Sequence, residues 1–79
     1  AVFDLSVAMR RKIHGYILQF TQADHGGRHI HVYHHEREIG VYDRVDGPIR
    51  GLESEMNPQL REALIAFIKE LNERGFFRH

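Results

Sequence analysis

His29-Ile30-His31-Val32-Tyr33-His34-His35-Glu36-Arg37-Glu38-Ile39-Gly40-Val41-Tyr42 alternates polar and apolar residues on both sides of a polar centre. A period of two marks a half-buried strand, and two such runs joined by a short polar segment form an antiparallel hairpin. Residues that face each other across a hairpin have constant summed numbers, so a turn at His34-His35 sets Ile30 against Ile39 and His31 against Glu38. That register predicts Ile30, Val32, Ile39 and Val41 on a core face. It sends His29, His31, Tyr33, Glu36 and Glu38 to the opposite, open face. Two-residue hairpin turns favour Asn and Gly, and His only tolerates positive φ better than most residues, so a longer loop here would move the register by one.

Beyond the hairpin, Asn57-Pro58 sets a capping residue before a proline suited to the first helical position. Leu60, Leu64, Phe67, Ile68 and Leu71 then recur at helical spacing, which predicts an amphipathic helix from Pro58 to Glu73 with a core stripe and no chemistry of its own. Arg61, Glu62, Lys69, Glu70 and Glu73 keep its other side in water, and Gly75 stands where a left-handed terminal residue is wanted, letting Phe76 fold back on Leu71. Before the hairpin, Ile13 to Phe20 reads as a strand with Tyr16, Leu18 and Phe20 on one face. In the first twelve residues, Phe3, Leu5, Val7 and Met9 alternate like an edge strand, whereas Ser6 suits the cap of a short helical turn. Asp46-Gly47 signals a second, short hairpin between Tyr42 to Val45 and Pro48 to Arg50, with the proline at a sheet edge, and Gly51 to Met56 loops into the helix.

The predicted fold is α+β, a three- to four-stranded antiparallel meander packed against one C-terminal amphipathic helix. It forms a single domain over 1–79, with an N-terminal strand or extension in 1–12, the sheet in 13–50 and the helix in 58–73. At 79 residues the core is small, so dimerisation would add useful stability. The chain has no cysteine, which rules out disulfides and thiolate metal sites and fits a reducing cytoplasm. Its apolar runs are short, and Asp4 stands where a signal peptide would carry positive charge, so no membrane span is expected. Eleven Lys and Arg balance eleven Asp and Glu, which argues against a strong non-specific pull on nucleic acid. Arg10-Arg11-Lys12 and Arg28 can still form a local basic patch, although such runs are more often a solvated edge.

Five of the seven histidines lie between His25 and His35. Imidazole carries protons, ligates metals and makes hydrogen bonds, so the cluster marks a site without naming its chemistry. As a metal site, His29 and His31 on one strand face would be completed by His25 or Glu38 and would take zinc or nickel, but His-x-His alone is a weak motif and no cofactor is expected. As an acid-base site, His25, His29 and His31 are the catalytic candidates for cleaving RNA through its own 2′-hydroxyl. Arg28 would contact phosphate, Glu38 would orient a ring and Tyr33 would stack a base. Plainer readings make these residues a solvated sheet face with a weak cross-strand pair of His31 and Glu38, or a protein-docking face anchored by Arg28, Tyr33 and Tyr42. His14 and His79 are incidental to all of them.

Asp24-His25, His29-Ile30-His31-Val32, Asp46-Gly47 before Ile49 and Gly51, and the closing helix resemble the small bacterial domain-of-unknown-function family 4160, over about Ile13 to Phe76. Members of that family carry two prolines where Gly27-Arg28 stand here, and a glycine-rich turn where His34-His35 stand. That departure leaves His34 and His35 outside the family's pattern, and Gly-Arg makes the strand entry more flexible than two prolines would. The resemblance implies small regulatory or antitoxin-like partners and a toxin-like role, with no general biochemical activity attached. The expected function is therefore a cytoplasmic, protein-interacting component of a toxin-antitoxin-like pair, its partner an antitoxin-like protein or a second copy. A metal-independent RNA-cleaving toxin is the first alternative and a His/Glu metal-binding module the second.

Overall fold

Two-residue turns with positive φ at both positions organise the sheet. In the computed structural model, which describes residues 7–21 and 29–77, β1 (Val7–Ile13) and β2 (Tyr16–Thr21) are joined by His14-Gly15, with φ of 53° and 85°. This mirror-image turn matches the twist of paired strands, and His-Gly serves here as Asn-Gly would. The run from Ile13 to Phe20 is therefore not one strand: the turn splits it, and Ile13 pairs with Tyr16. Of the two alternatives for the N-terminal segment, the strand holds from Val7 onward.

A second such turn, His35-Glu36 with φ of 53° and 66°, joins β3 (His29–His34) to β4 (Arg37–Asp43). β5 (Gly47–Ile49) completes an antiparallel sheet in chain order, five strands among the described residues where three or four were expected. β1 and β5 are its edges, and Pro48 sits on one of them, where a missing amide donor is tolerated. After β5, a 3-10 turn (Leu52–Ser54) leads to α1 (Pro58–Glu73), whose bounds match the predicted helix.

The turn falls one residue later than expected, and β4 carries a bulge, so the register differs from the prediction. Tyr33 pairs with Glu38, but Val32 pairs with Gly40, which leaves Ile39 as the extra residue. An inserted residue reverses the alternation beyond it. Ile30 thus faces Tyr42 rather than Ile39, and His31 faces Val41 rather than Glu38. Ile39 still packs against the core, but Val41, 1% exposed, lies on the sheet face opposite α1 instead of the core face. Glu36 occupies the turn rather than the open face, and His34 closes β3 with its ring stacked on Tyr16 at 4.5 Å.

The core joins Tyr16, Leu18 and Phe20 of β2 and Ile30 and Val32 of β3 to Leu60, Ala63, Leu64, Phe67 and Leu71 of α1. Full burial of each large apolar side chain stabilises the fold by about 1.5–3 kcal/mol. The helix start is held to the sheet by one residue: Asn57 Oδ1 accepts from the Leu60 amide at 2.8 Å, and its Nδ2 donates to the Tyr16 hydroxyl at 2.9 Å. At the other end Gly75, with φ of 80°, lets the Phe76 amide donate to Leu71 and its own amide donate to Asn72, the paired bonds of a left-handed helix stop. Phe76 then packs 5.6 Å from Phe20, ring to ring. Among the described residues no helix is long and apolar enough to cross a membrane.

Arg11 lies on the helix side of β1 and donates to Glu70 at 2.8 Å. That hydrogen bond is the main reason the Glu70 carboxyl titrates below its ordinary range, with the charges of Arg11 and Arg74 adding to it. A lowered carboxyl pKa adds stability above the ordinary glutamate range and loses it as pH falls through the lowered value. Glu70→Gln should therefore lower the thermal midpoint at neutral pH and leave it equal to wild type in strong acid. A constant difference across that range would remove the pair from the account.

Candidate functional site

The face opposite α1 is assembled by register alone. Paired residues in a sheet point the same way, so Arg10 of β1, Gln19 of β2, His31 of β3 and Val41 of β4 form one row across four strands. Lys12, Ile17, Tyr33 and Glu38 form a parallel row one step nearer the turns. Arg10 and Lys12 are exposed at the β1 edge, and Ile17, Gln19, His31 and Tyr33 are half-buried.

Two histidines on this face each meet a carboxylate. His31 Nδ1 lies 2.6 Å from Glu38 Oε2, a diagonal contact across the Ile39 bulge. A carboxylate can only accept, so Nδ1 carries the proton of this contact. The pair is partly open to solvent, with side-chain exposures of 20% and 43%. His29 Nε2 lies 3.1 Å from Asp43 Oδ2, and these residues are only 5% and 3% exposed. The other Asp43 oxygen accepts from the Val45 and Asp46 amides at 2.8 and 3.1 Å, which shapes the turn into β5. Asp43 therefore fixes a turn with one oxygen and a ring with the other.

Of the residues singled out from the sequence, His29, His31, Tyr33 and Glu38 share this face, while His25 and Arg28 lie outside the described residues. Tyr42 is no anchor beside Tyr33, because the bulge turns it to the helix side against the core. For a metal, His29 and His31 would have to converge with a third ligand. Instead each ring takes its own carboxylate, and among the described residues no three His, Cys, Asp or Glu converge as ligands. The His34 and His35 rings meet tilted, 3.9 Å apart, at the turn end of the sheet, away from the His29 and Asp43 pair.

Sequence reasoning missed Asp43, whose partner is fourteen residues away, although an Asp three residues before Asp46 is itself a turn signal. It also left Arg10 and Lys12 as a solvated edge, since their placement beside Gln19 and Ile17 depends on the His14-Gly15 turn. Compared with protein-family models, with curated proteins and with solved structures, the chain matches none.

Proposed function

We propose that this chain binds single-stranded RNA on the face opposite α1 and cleaves it by imidazole acid-base chemistry, as the RNA-directed member of a toxin-antitoxin-like pair. The carrying observation is the 2.6 Å contact of Glu38 with His31 Nδ1, on a face that also presents Arg10, Lys12 and Tyr33. Glu38 orients the ring and stabilises the imidazolium that forms when Nε2 takes a proton. The proton comes from an RNA 2′-hydroxyl. The freed oxygen attacks the adjacent phosphorus, the bond from phosphorus to the 5′-oxygen breaks, and that oxygen takes a proton from water, since the His29 ring is buried against Asp43. The products are a 2′,3′-cyclic phosphate and a 5′-hydroxyl.

A half-buried ring with its own carboxylate, His31 with Glu38, suits proton transfer better than a ring held on an ion. The second member of the pair, a small antitoxin-like protein, comes from the family resemblance. Zero net charge makes the expected RNA affinity modest. With Arg10 and Lys12 as the phosphate contacts, the logarithm of affinity should fall with the logarithm of salt at a slope of about −1.4.

The test is incubation of the purified chain with mixed-sequence RNA in the presence and absence of chelator. Cleavage that persists with chelator and leaves cyclic phosphate ends is expected, and His31→Ala should slow it by at least about 100-fold. Intact RNA under both conditions, or unaltered cleavage by His31→Ala, would overturn the proposal.

A further inference from the structure

We infer that the cleft at the turn end of the sheet is a nucleobase pocket, which seats one base of the RNA next to the His31 and Glu38 pair. The inference rests on the RNA reading above and assigns it a recognition subsite. The cleft has a volume of about 540 Å³, within the range of about 300–1,000 Å³ usual for small-molecule sites. Its floor is the row that register builds from Lys12, Ile17 and Tyr33, one residue from each of three adjacent strands. Its end wall is His34, His35 and Glu36, at the second two-residue turn.

Three features select a flat heteroaromatic ligand. Tyr33 and Ile17 are neighbours across the β2 and β3 pair, and an aromatic ring beside an aliphatic side chain forms a stacking platform that any base can use. The end wall is already packed, because the His34 ring stacks on Tyr16 at 4.5 Å and meets the His35 ring at 3.9 Å, so little side-chain freedom is lost when a ligand binds. Lys12, exposed at the β1 edge, supplies a cation for the attached phosphate.

Glu36 sharpens the choice of base. As an acceptor-only group at the rim, it matches the exocyclic amino group of cytosine, adenine or guanine, and uracil has none. Tyr33 and His31 stand two residues apart on one strand face, a step of about 7 Å. A base held over Tyr33 therefore brings its own sugar, or that of the next nucleotide, to the His31 imidazole, so cleavage should fall beside amino-bearing bases.

The test is an amide-resolved NMR titration of the full chain with cytidine 5′-monophosphate, uridine 5′-monophosphate and inorganic phosphate. Cytidine monophosphate should shift the Ile17, Tyr33, His34 and His35 amides and bind tighter than uridine monophosphate, and phosphate alone should leave these amides in place. Tyr33→Leu and Lys12→Ala should each weaken the cytidine nucleotide by about tenfold. Should Tyr33→Leu prove unfolded by circular dichroism, the exposed Lys12 variant decides. Shifts confined to other residues, equal binding of both nucleotides, the same shifts with phosphate alone, or no effect of Lys12→Ala would overturn the pocket. Nucleotide seated in the cleft of a protein that leaves RNA intact would sink the cleavage reading and keep the pocket. RNA cleavage with no nucleotide in the cleft would do the reverse.

Discussion

Gly40→Ala is expected to remove at least about 3 kcal/mol of folding stability, as an overpacked site with a disfavoured backbone does. A Cβ at this position would lie 2.4 Å from the Leu52 amide nitrogen, 2.5 Å from its Cβ and 2.7 Å from its Cα. Two of these atoms are backbone and Leu52 is fully buried, so neither side can yield by rotating a side chain. Gly40 also has φ of 154°, which side-chain-bearing residues rarely adopt. A chain of 79 residues typically holds only about 4–12 kcal/mol in total, so the variant should lose about a quarter or more of its stability. Gly47→Ala is the matching control: its φ is 86°, but a Cβ there meets nothing within 4 Å, so only the backbone cost of about 1–2 kcal/mol remains. Urea unfolding of both variants checks the contrast, and a Gly40→Ala midpoint near wild type would refute the close-approach argument. Because Gly40 follows the extra residue Ile39, moving β4 away from Leu52 would also disturb the bulge that brings Glu38 diagonally to His31.

That glycine also shows where the sequence could be read and where it could not. The helix was fully legible because its signals are local: a cap, a proline, an apolar stripe and a glycine past the end. The faces of β3 were legible for the same reason, since alternation within an unbulged strand places His29, His31 and Tyr33 together without a partner strand. β4 could not be followed that way. An isolated glycine within a strand pattern signals a bulge or a close backbone approach, and Gly40 marks both, yet the summed-number rule assumes a regular ladder. The expected partner of His31 was therefore the right residue by a different geometry, Glu38 reaching it diagonally rather than directly opposite. Val41 and Tyr42 exchanged faces through the same single residue. Asp43 was out of reach, because its contact with His29 needs both the bulge and the late turn to be known first.

Asp43→Ala is expected to cost at least about 3 kcal/mol, because each buried donor left without its acceptor costs about 1–3 kcal/mol. One truncation deletes the acceptor opposite His29 Nε2 at 3.1 Å together with the acceptor of the Val45 and Asp46 amides. It also leaves a void beside a ring that is 5% exposed. Asp43→Asn separates the two duties of the side chain. Its amide oxygen can keep the turn amides, so the stability loss should shrink to about 1–2 kcal/mol, the scale of a single altered buried hydrogen bond. The amide nitrogen, however, must then donate to His29 Nε2, which drives the ring proton to Nδ1 and reverses the tautomer that the aspartate holds. A folded Asp43→Asn protein with the changed tautomer visible in imidazole nitrogen NMR is the result expected, because the aspartate sets which nitrogen of the buried ring carries the proton. An unchanged ring spectrum would reduce Asp43 to a residue that fixes the turn through the Val45 and Asp46 amides.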